Sequence, residues 1–236
     1  MLFLTTIISC NEDEGGSDSI VSPDFSGTNT ILPLGDSRVE GARPEYESYR
    51  YELWKNLVRD NKTFDFVGGR ADDSNYSAFQ GKTFDTDHQG TGGATSSDIL
   101  NELDAVLANG APNYVLLGIG GNDLLDNVAV SNIVSNINQI IDKFQAKNPN
   151  ITILLEQIAP GRSDIMTAEL TNIFNQFNEE IPNIANQQTN NTSSVIAINM
   201  ATGWSDSYMP DDVHYNEAGA KVIADKYYAV LSNIIE

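Results

Sequence analysis

Residues 30–37 read TILPLGDS, and this stretch decides the fold class. An apolar run ends at a glycine and is followed at once by two polar residues, a pattern typical of a buried strand that ends at the rim of a sheet. Residues 114–123, YVLLGIGGND, show the same pattern. The carboxyl ends of parallel strands lie at one edge of the sheet, where ligands bind in open α/β folds. We therefore expect the two polar groups to share one rim and to form a functional site.

Short apolar runs of this kind alternate with longer segments of helical periodicity along the rest of the chain. Strands are predicted at residues 30–34, 64–67, 114–117, 152–156 and 195–199, and helices at residues 44–60, 96–108, 132–147, 164–187 and 217–234. The alternation predicts an α/β fold with three α/β/α layers, in which helices cover both faces of a flavodoxin-like, five-stranded parallel sheet.

The composition excludes several classes of function. The 236 residues include 33 Asp and Glu but only 13 Lys and Arg, and the formal net charge of −20 repels nucleic acid and anionic lipid. The single cysteine, Cys10, excludes an intrachain disulfide and a thiol nucleophile inside the domain. Two histidines are too few for a three-histidine metal site, and His88 is expected to be structural. Oxygen-ligated calcium stays open on composition alone, but no calcium loop motif is present, so neither a metal nor a cofactor is predicted.

Residues 1–10, MLFLTTIISC, form a short apolar run that ends in small residues before a cysteine. The segment resembles the end of a bacterial lipoprotein signal, although the basic residues that begin such signals are missing. The resemblance implies that Cys10 is acylated, that residues 11–28 are an acidic Gly/Ser-rich tether and that residues 29–236 form one domain. The protein is then expected in the cell envelope, held at the membrane only by its lipid, or secreted. A plain apolar N-terminus is the alternative.

Serine chemistry requires a base to remove the hydroxyl proton and a partner that fixes the tautomer of that base. Ser37 follows the first strand, where its own N–H and the next helix can face an oxygen that gains negative charge. His214 is preceded by Asp211 in a polar loop, so one short segment can supply the base and its partner. Asn122 and Gly93 can add two donors to an oxyanion hole. Taken alone, Ser37 could instead cap a helix, and Asn122 could be a turn residue.

These residues belong to four blocks that occur in order along the chain: Gly35-Asp36-Ser37, Gly93, Gly121-Asn122-Asp123 and Asp211-x-x-His214. Together the blocks are similar to those of the SGNH, or GDSL-type, hydrolase superfamily. The resemblance covers the domain from its first strand to its last helix.

The resemblance implies a role for each residue of the blocks. Ser37 becomes the nucleophile, His214 the general base and then acid, and Asp211 the group that orients the imidazole. Asn122 and Gly93 join the Ser37 N–H in the oxyanion hole. The neighbouring Asp212 is left without a catalytic role.

The strings between the blocks are similar to those of acetyl-xylan esterases of carbohydrate esterase family three. They are LPLGDS at 32–37, SYRYELW at 48–54, DFVG at 65–68 and DHQG at 87–90. Arg38 and Gln89 depart from this family's usual residues, which bears on the substrate more than on the reaction. The resemblance implies a serine esterase that removes small acyl groups, above all acetyl, from carbohydrate without a cofactor. A lipase or lysophospholipase, and a catalytically silent carbohydrate-binding lipoprotein, are the alternatives.

Three residues are candidates for binding the substrate. Trp204 and Tyr208 precede the Asp-x-x-His block and can stack on a sugar ring or fill an ordinary core contact. Arg38, together with Arg43 and Arg50, can form a local basic patch in an otherwise acidic protein. The acylated carbohydrate is the only substrate or partner predicted.

Overall fold

The computed structural model describes residues 21–235. The predicted acylation site Cys10, the leader and the first part of the tether lie outside these residues. Ser22 Oγ donates a hydrogen bond to Val106 O at 2.9 Å, and Phe25 packs against the core. Contacts with the domain therefore begin upstream of residue 29, the boundary that we predicted. Within the described residues, no helix combines the length and apolar composition that crossing a membrane requires.

Seven strands form one sheet: β1 (Thr30–Gly35), β2 (Asp65–Phe66), β3 (Arg70–Ala71), β4 (Asp87–Gly90), β5 (Tyr114–Gly118), β6 (Thr152–Gln157) and β7 (Ser194–Asn199). Their order is β3-β4-β1-β5-β6-β7, and β2 pairs with β1 beside this path. All the pairings are parallel except the antiparallel pairing of β3 with β4. The carboxyl ends of β1 and β5 therefore lie at the same rim, as expected.

Helices cover both faces of the sheet: α1 (Ser37–Glu40), α2 (Arg50–Arg59), α3 (Ser96–Val106), α4 (Gly121–Leu125), α5 (Val130–Lys147), α6 (Ala168–Gln188) and α7 (Glu217–Leu231). The buried stripes of α3, α5 and α6 pack in one core cluster, and those of α2 and α7 pack in the other. Burial of these apolar stripes drives the helices onto the strands. The structure confirms the predicted three-layer α/β fold.

The sheet departs from the five predicted strands beside β1. β2 pairs with Thr30 and Ile31, and β4 takes over at Leu34 and Gly35, so two short strands share the position expected for one. β4 reads DHQG and has no apolar run, so periodicity could not reveal it. His88 and Gln89 are nevertheless buried, since Gln89 accepts a hydrogen bond from Gly69 N at 2.9 Å and His88 accepts one from Gly90 N at 3.0 Å.

The first long helix begins six residues later than predicted, at Arg50 rather than at residue 44. The intervening segment makes a bridge between Ala42 and Tyr46 and another between Glu47 and Tyr215. The second bridge joins this segment to the chain next to His214, which no local pattern in the sequence indicates.

Candidate active site

Ser37 is positioned by the way in which β1 ends. Asp36 caps α1, because its side chain accepts a hydrogen bond from the Arg38 N–H at 2.9 Å, and Ser37 is the first residue of the helix. Ser37 is therefore not the helix cap, which removes the structural alternative that its sequence position allowed. Asp36 is only 6% exposed, and this burial raises its pKa.

The structure brings Ser37, His214 and Asp211 into one hydrogen-bonded chain. Ser37 Oγ lies 3.0 Å from His214 Nε2, although the two residues are 177 positions apart. His214 Nδ1 lies 2.8 Å from Asp211 Oδ2. This geometry lets the imidazole accept the hydroxyl proton while the carboxylate fixes its tautomer.

Asp211 is held by its own loop. Its Oδ1 accepts hydrogen bonds from the backbone N–H groups of Val213 at 2.8 Å and of His214 at 2.7 Å. Partial burial raises the pKa of Asp211, but these bonds and the contact with the His214 ring outweigh it, so the pKa lies below its ordinary value. The carboxylate is therefore charged at neutral pH, as an orienting group for an imidazole must be.

The Asn122 side chain is hydrogen-bonded to the backbone of Ala94, the residue that follows Gly93. Asn122 Nδ2 donates to Ala94 O at 2.9 Å, and its second hydrogen remains available to another acceptor. Thr91 N donates to Gly35 O at 3.0 Å, which fastens the same loop beside the end of β1. Among residues 21–235, the N–H groups of Ser37 and Gly93 have no hydrogen-bond partner. These three N–H donors are therefore available to a ligand, and Ser37 and Asn122 line the same pocket.

Asp123 links the helix that carries Asn122 to the start of α3. Its two carboxylate oxygens accept hydrogen bonds from Ser96 N at 2.8 Å and from Ser96 Oγ at 2.6 Å, and Asn136 Nδ2 donates to the same hydroxyl at 3.0 Å. The loop that carries Gly93 is therefore tied to the helix that carries Asn122. We assigned no role to Asp123 from the sequence, although its place in Gly121-Asn122-Asp123 was a signal.

Arg38 contacts backbone rather than projecting into solvent. Its Nε donates to Val213 O at 2.7 Å, its Nη1 to Ala159 O at 2.6 Å and its Nη2 to Pro160 O at 3.3 Å. These bonds fasten the loop before His214 and the loop after β6 to the residue that follows Ser37. Binding of substrate by Arg38 stays a prediction.

The expected basic patch does not form. Arg50 has 0% exposure and pairs with Asp72 at 3.0 Å, while Arg43 pairs with Glu47 at 2.6 Å. Arg50 is buried in its ion pair, and the charge of the partly exposed Arg43 is paired with Glu47, so the two guanidinium groups do not present free charge together at the surface.

Tyr46 is a site residue that sequence reasoning missed. Its ring stacks on the His214 imidazole, with centroids 3.7 Å apart and planes 12° from parallel. The contact restricts the ring to one plane, and the bond from Glu47 N to Tyr215 O at 2.8 Å holds the two segments together. Residue 46 lay within the helix predicted at 44–60, so no signal pointed to this role.

Trp204 and Tyr208 pack against each other in a T-shaped contact, and Trp204 also contacts Tyr215. The indole Nε1 lies 3.3 Å from Met209 Sδ. Trp204 is half-buried and lines a cavity, so part of its surface can meet a ligand. A role in binding substrate stays a prediction for both aromatic residues.

Two neighbouring cavities lie at this rim. The first, which we call the inner pocket, has a volume of about 30 Å³ and is lined by Ser37, Asn122, Leu125, Ile165, Met166 and Val213, among others. The second, the outer cavity, has a volume of about 340 Å³ and is lined by Ser163, Thr171, Asn175, Asn178, Trp204 and Asp206, among others. Gly161, Met166 and Phe174 line both.

Glu156 is a second residue that the sequence did not single out. It lies at the end of β6, is 4% exposed and accepts a hydrogen bond from the Tyr227 hydroxyl at 2.7 Å. Burial raises its pKa to about 7. A Cβ on Gly118 would lie 2.9 Å from the Glu156 side chain, so the strand beside β1 needs a glycine there.

No group of three or more His, Cys, Asp or Glu side chains within residues 21–235 is arranged to hold a metal ion. His88, the other histidine, is buried in β4, and this burial lowers its pKa to about 3. It is therefore uncharged at neutral pH and takes no part in the contact between Ser37 and His214.

The fold and the family together define the class of protein. Residues 34–222 match the sequence profile of the GDSL-like lipase/acylhydrolase family, and the chain belongs to that family. It is accordingly a carboxylic ester hydrolase, as the motif resemblance implied. A search among curated proteins found no match.

Several solved structures of esterases are similar to this chain. A mutant acetyl esterase with an acetate ion is 25% identical, has a TM-score of 0.76 and aligns over 88% of this chain and 98% of that protein. A carbohydrate esterase family 3 protein from Talaromyces cellulolyticus is 26% identical, with a TM-score of 0.76 and the same coverage. A family 3 carbohydrate esterase from Clostridium thermocellum is 29% identical, with a TM-score of 0.68, over 87% of this chain and 96% of that one. The chain is thus structurally close to family 3 carbohydrate esterases, which confirms the narrower resemblance.

Proposed function

We propose that this protein is a serine esterase that removes acetyl groups from carbohydrate esters. The observation that carries the proposal is the hydrogen-bonded chain from Ser37 Oγ through His214 to Asp211. A carboxylic ester hydrolase of this kind needs an activated nucleophile and a base, and these groups supply both.

The reaction follows from the geometry. Ser37 Oγ attacks the ester carbonyl while His214 Nε2 takes its proton, and Asp211 stabilises the imidazolium that forms. The carbonyl oxygen becomes negative and accepts hydrogen bonds from the N–H groups of Ser37 and Gly93 and from Asn122 Nδ2. His214 then protonates the sugar oxygen, which leaves. Water, activated by the same imidazole, hydrolyses the acyl-enzyme and restores Ser37.

The size of the inner pocket supports a small acyl group. A volume of about 30 Å³ corresponds to about two water-sized groups on this scale, which suits an acetyl methyl better than a long chain. The carbohydrate part of the proposal is supported by the neighbouring structures, whose names include an acetyl esterase and family 3 carbohydrate esterases.

Replacement of the nucleophile tests the proposal. Ser37→Ala is expected to abolish hydrolysis of p-nitrophenyl acetate and labelling by a fluorophosphonate probe, which reacts only with an activated serine. Ser135→Ala, an exposed position on α5, is the matched control and should keep both. A Ser37→Ala protein that retains most of its activity would contradict the assignment. A wild-type protein that is not labelled by the probe and turns over no ester would instead favour the catalytically silent carbohydrate-binding protein.

The substrate is tested separately by release of acetate from acetylated polysaccharides. Faster cleavage of octanoyl esters or lysophospholipids than of acetyl esters would replace the proposal with a lipase-type activity.

We further propose, from residues 1–10 alone, that Cys10 is acylated and places the protein in the cell envelope. Cell fractionation of the full chain beside Cys10→Ser tests this. The Cys10→Ser variant has no thiol to be acylated, so it alone should lose membrane association.

A further inference from the structure

The inner pocket and the outer cavity share a wall, and this wall limits the space beside Ser37. Three residues form it: Gly161, Met166 and Phe174. The space behind the wall is about ten times larger than the space in front of it. Whatever side chain closes the wall therefore decides how long a group the inner pocket can hold.

The inner pocket suits the acyl part of the ester rather than the sugar. Ser37 and Asn122 line it, so a carbonyl carbon attacked there has its substituent directed among the neighbouring side chains. Apart from the shared wall, those side chains include Leu125, Ile165 and Val213, which are apolar and match a methyl group. Asp36 and Arg38 also line the pocket, but a volume of about 30 Å³ is too small for a sugar ring, so the acyl group is the part of the ester that fits.

Met166 is the part of the wall that can change without loss of the core. Phe174 is 5% exposed and belongs to the core of the α5 and α6 face. Gly161 has no side chain, and a Cβ there would lie 2.9 Å from Asp212 O. Met166 is only partly buried and packs at the margin of that core. Its long, unbranched side chain fills irregular space, and truncating it opens space without removing a central contact.

We propose that Met166 is the residue that determines acyl-chain specificity, closing the inner pocket behind an acetyl group and separating it from the outer cavity. The inference rests on the proposed function, because it assumes that Ser37 attacks the ester. The outer cavity is then a latent extension of the acyl site. Its hydroxyl, amide and carboxylate lining, which includes Thr171, Asn175 and Asp206, suits chains of a few carbons better than long ones.

The test compares chain lengths in Met166→Ala. The ratio of kcat/KM for p-nitrophenyl butyrate to that for p-nitrophenyl acetate is expected to rise about tenfold, the gain from burying two additional methylene groups. Met166→Val is the second variant if Met166→Ala does not fold, and a smaller rise in the same ratio is expected. Ile173→Ala is the matched control, because Ile173 packs against the same core but lines neither cavity.

The outcomes separate this inference from the proposed function. An unchanged butyrate-to-acetate ratio in folded Met166→Ala, or an equal rise in Ile173→Ala, overturns the inference. A wild-type protein that already prefers butyrate also overturns it, because Met166 would then not close the pocket. Loss of the proposed function has a different signature, since the wild-type protein would hydrolyse neither ester.

Discussion

Glu156→Gln is expected to abolish a decrease in the free energy of unfolding that the wild-type protein shows as the pH rises from 4.5 to about 7. Glu156 is almost fully buried, and its Oε1 accepts a hydrogen bond from the Tyr227 hydroxyl. Burial disfavours the charged carboxylate and raises its pKa from an ordinary 4.5 to about 7. Glutamine keeps an oxygen that can accept the Tyr227 bond but stays neutral at every pH.

The sign and size of the effect follow from proton linkage. Between pH 4.5 and about 7 the native protein holds a proton on Glu156 that the unfolded chain has released. Stability therefore falls as the pH rises through this range, and the loss is complete above the native pKa. At about 1.4 kcal/mol for each pH unit, the wild-type protein loses about 3 kcal/mol through this one group. Glu156→Gln avoids that loss.

Urea unfolding at pH 5 and pH 8 measures the effect. The variant is expected to match the wild-type protein within about 1 kcal/mol at pH 5 and to exceed it by about 3 kcal/mol at pH 8. Glu179→Gln, at an exposed position on α6, controls for the loss of a surface charge. The same difference in free energy of unfolding at both pH values would refute the reasoning, because it would show that Glu156 titrates alike in the native and unfolded states.

Two predictions concern the candidate active site. Asn122→Ala is expected to lower kcat for p-nitrophenyl acetate by about 10²–10³-fold with little change in KM, the usual loss for one oxyanion donor. A loss confined to KM would mean that Asn122 binds the ground state only. Tyr46→Ala is expected to lower kcat by about 3–10-fold, because a stacked ring contributes about 0.5–1.5 kcal/mol to holding the imidazole. Tyr46→Phe keeps the ring and should retain the wild-type rate, whereas an equal loss in Tyr46→Phe would assign the effect to the hydroxyl.

Local patterns predicted most of the architecture. β1, β5, β6 and β7 are continuous apolar runs ended by polar residues, and buried parallel strands have this composition wherever they occur. α5 was predicted within two residues at its start, because isoleucine and phenylalanine recur at helical spacing along one face. The residues of the candidate site could be named for the same reason, since each follows a strand or stands in a short motif.

Other parts of the fold have no local signature. β4 is polar because its side chains form hydrogen bonds inside the protein, and the segment before Arg50 is irregular because it pairs with the chain beside His214. Neither feature reflects an apolar period. Charged residues that are buried by distant partners, such as Arg50 and Glu156, look in sequence like exposed ones.

The sequence by itself determined the fold class, the rim where polar residues collect and the types of residue available for ester chemistry. Tertiary structure alone decided that Ser37 Oγ and His214 Nε2 meet at 3.0 Å, that Tyr46 covers the imidazole and that Met166 stands between two cavities. The physical reason is the distance along the chain over which each kind of interaction acts. Periodicity and capping act over a few neighbouring residues, whereas these contacts depend on how strands and helices far apart in the chain pack around a common core.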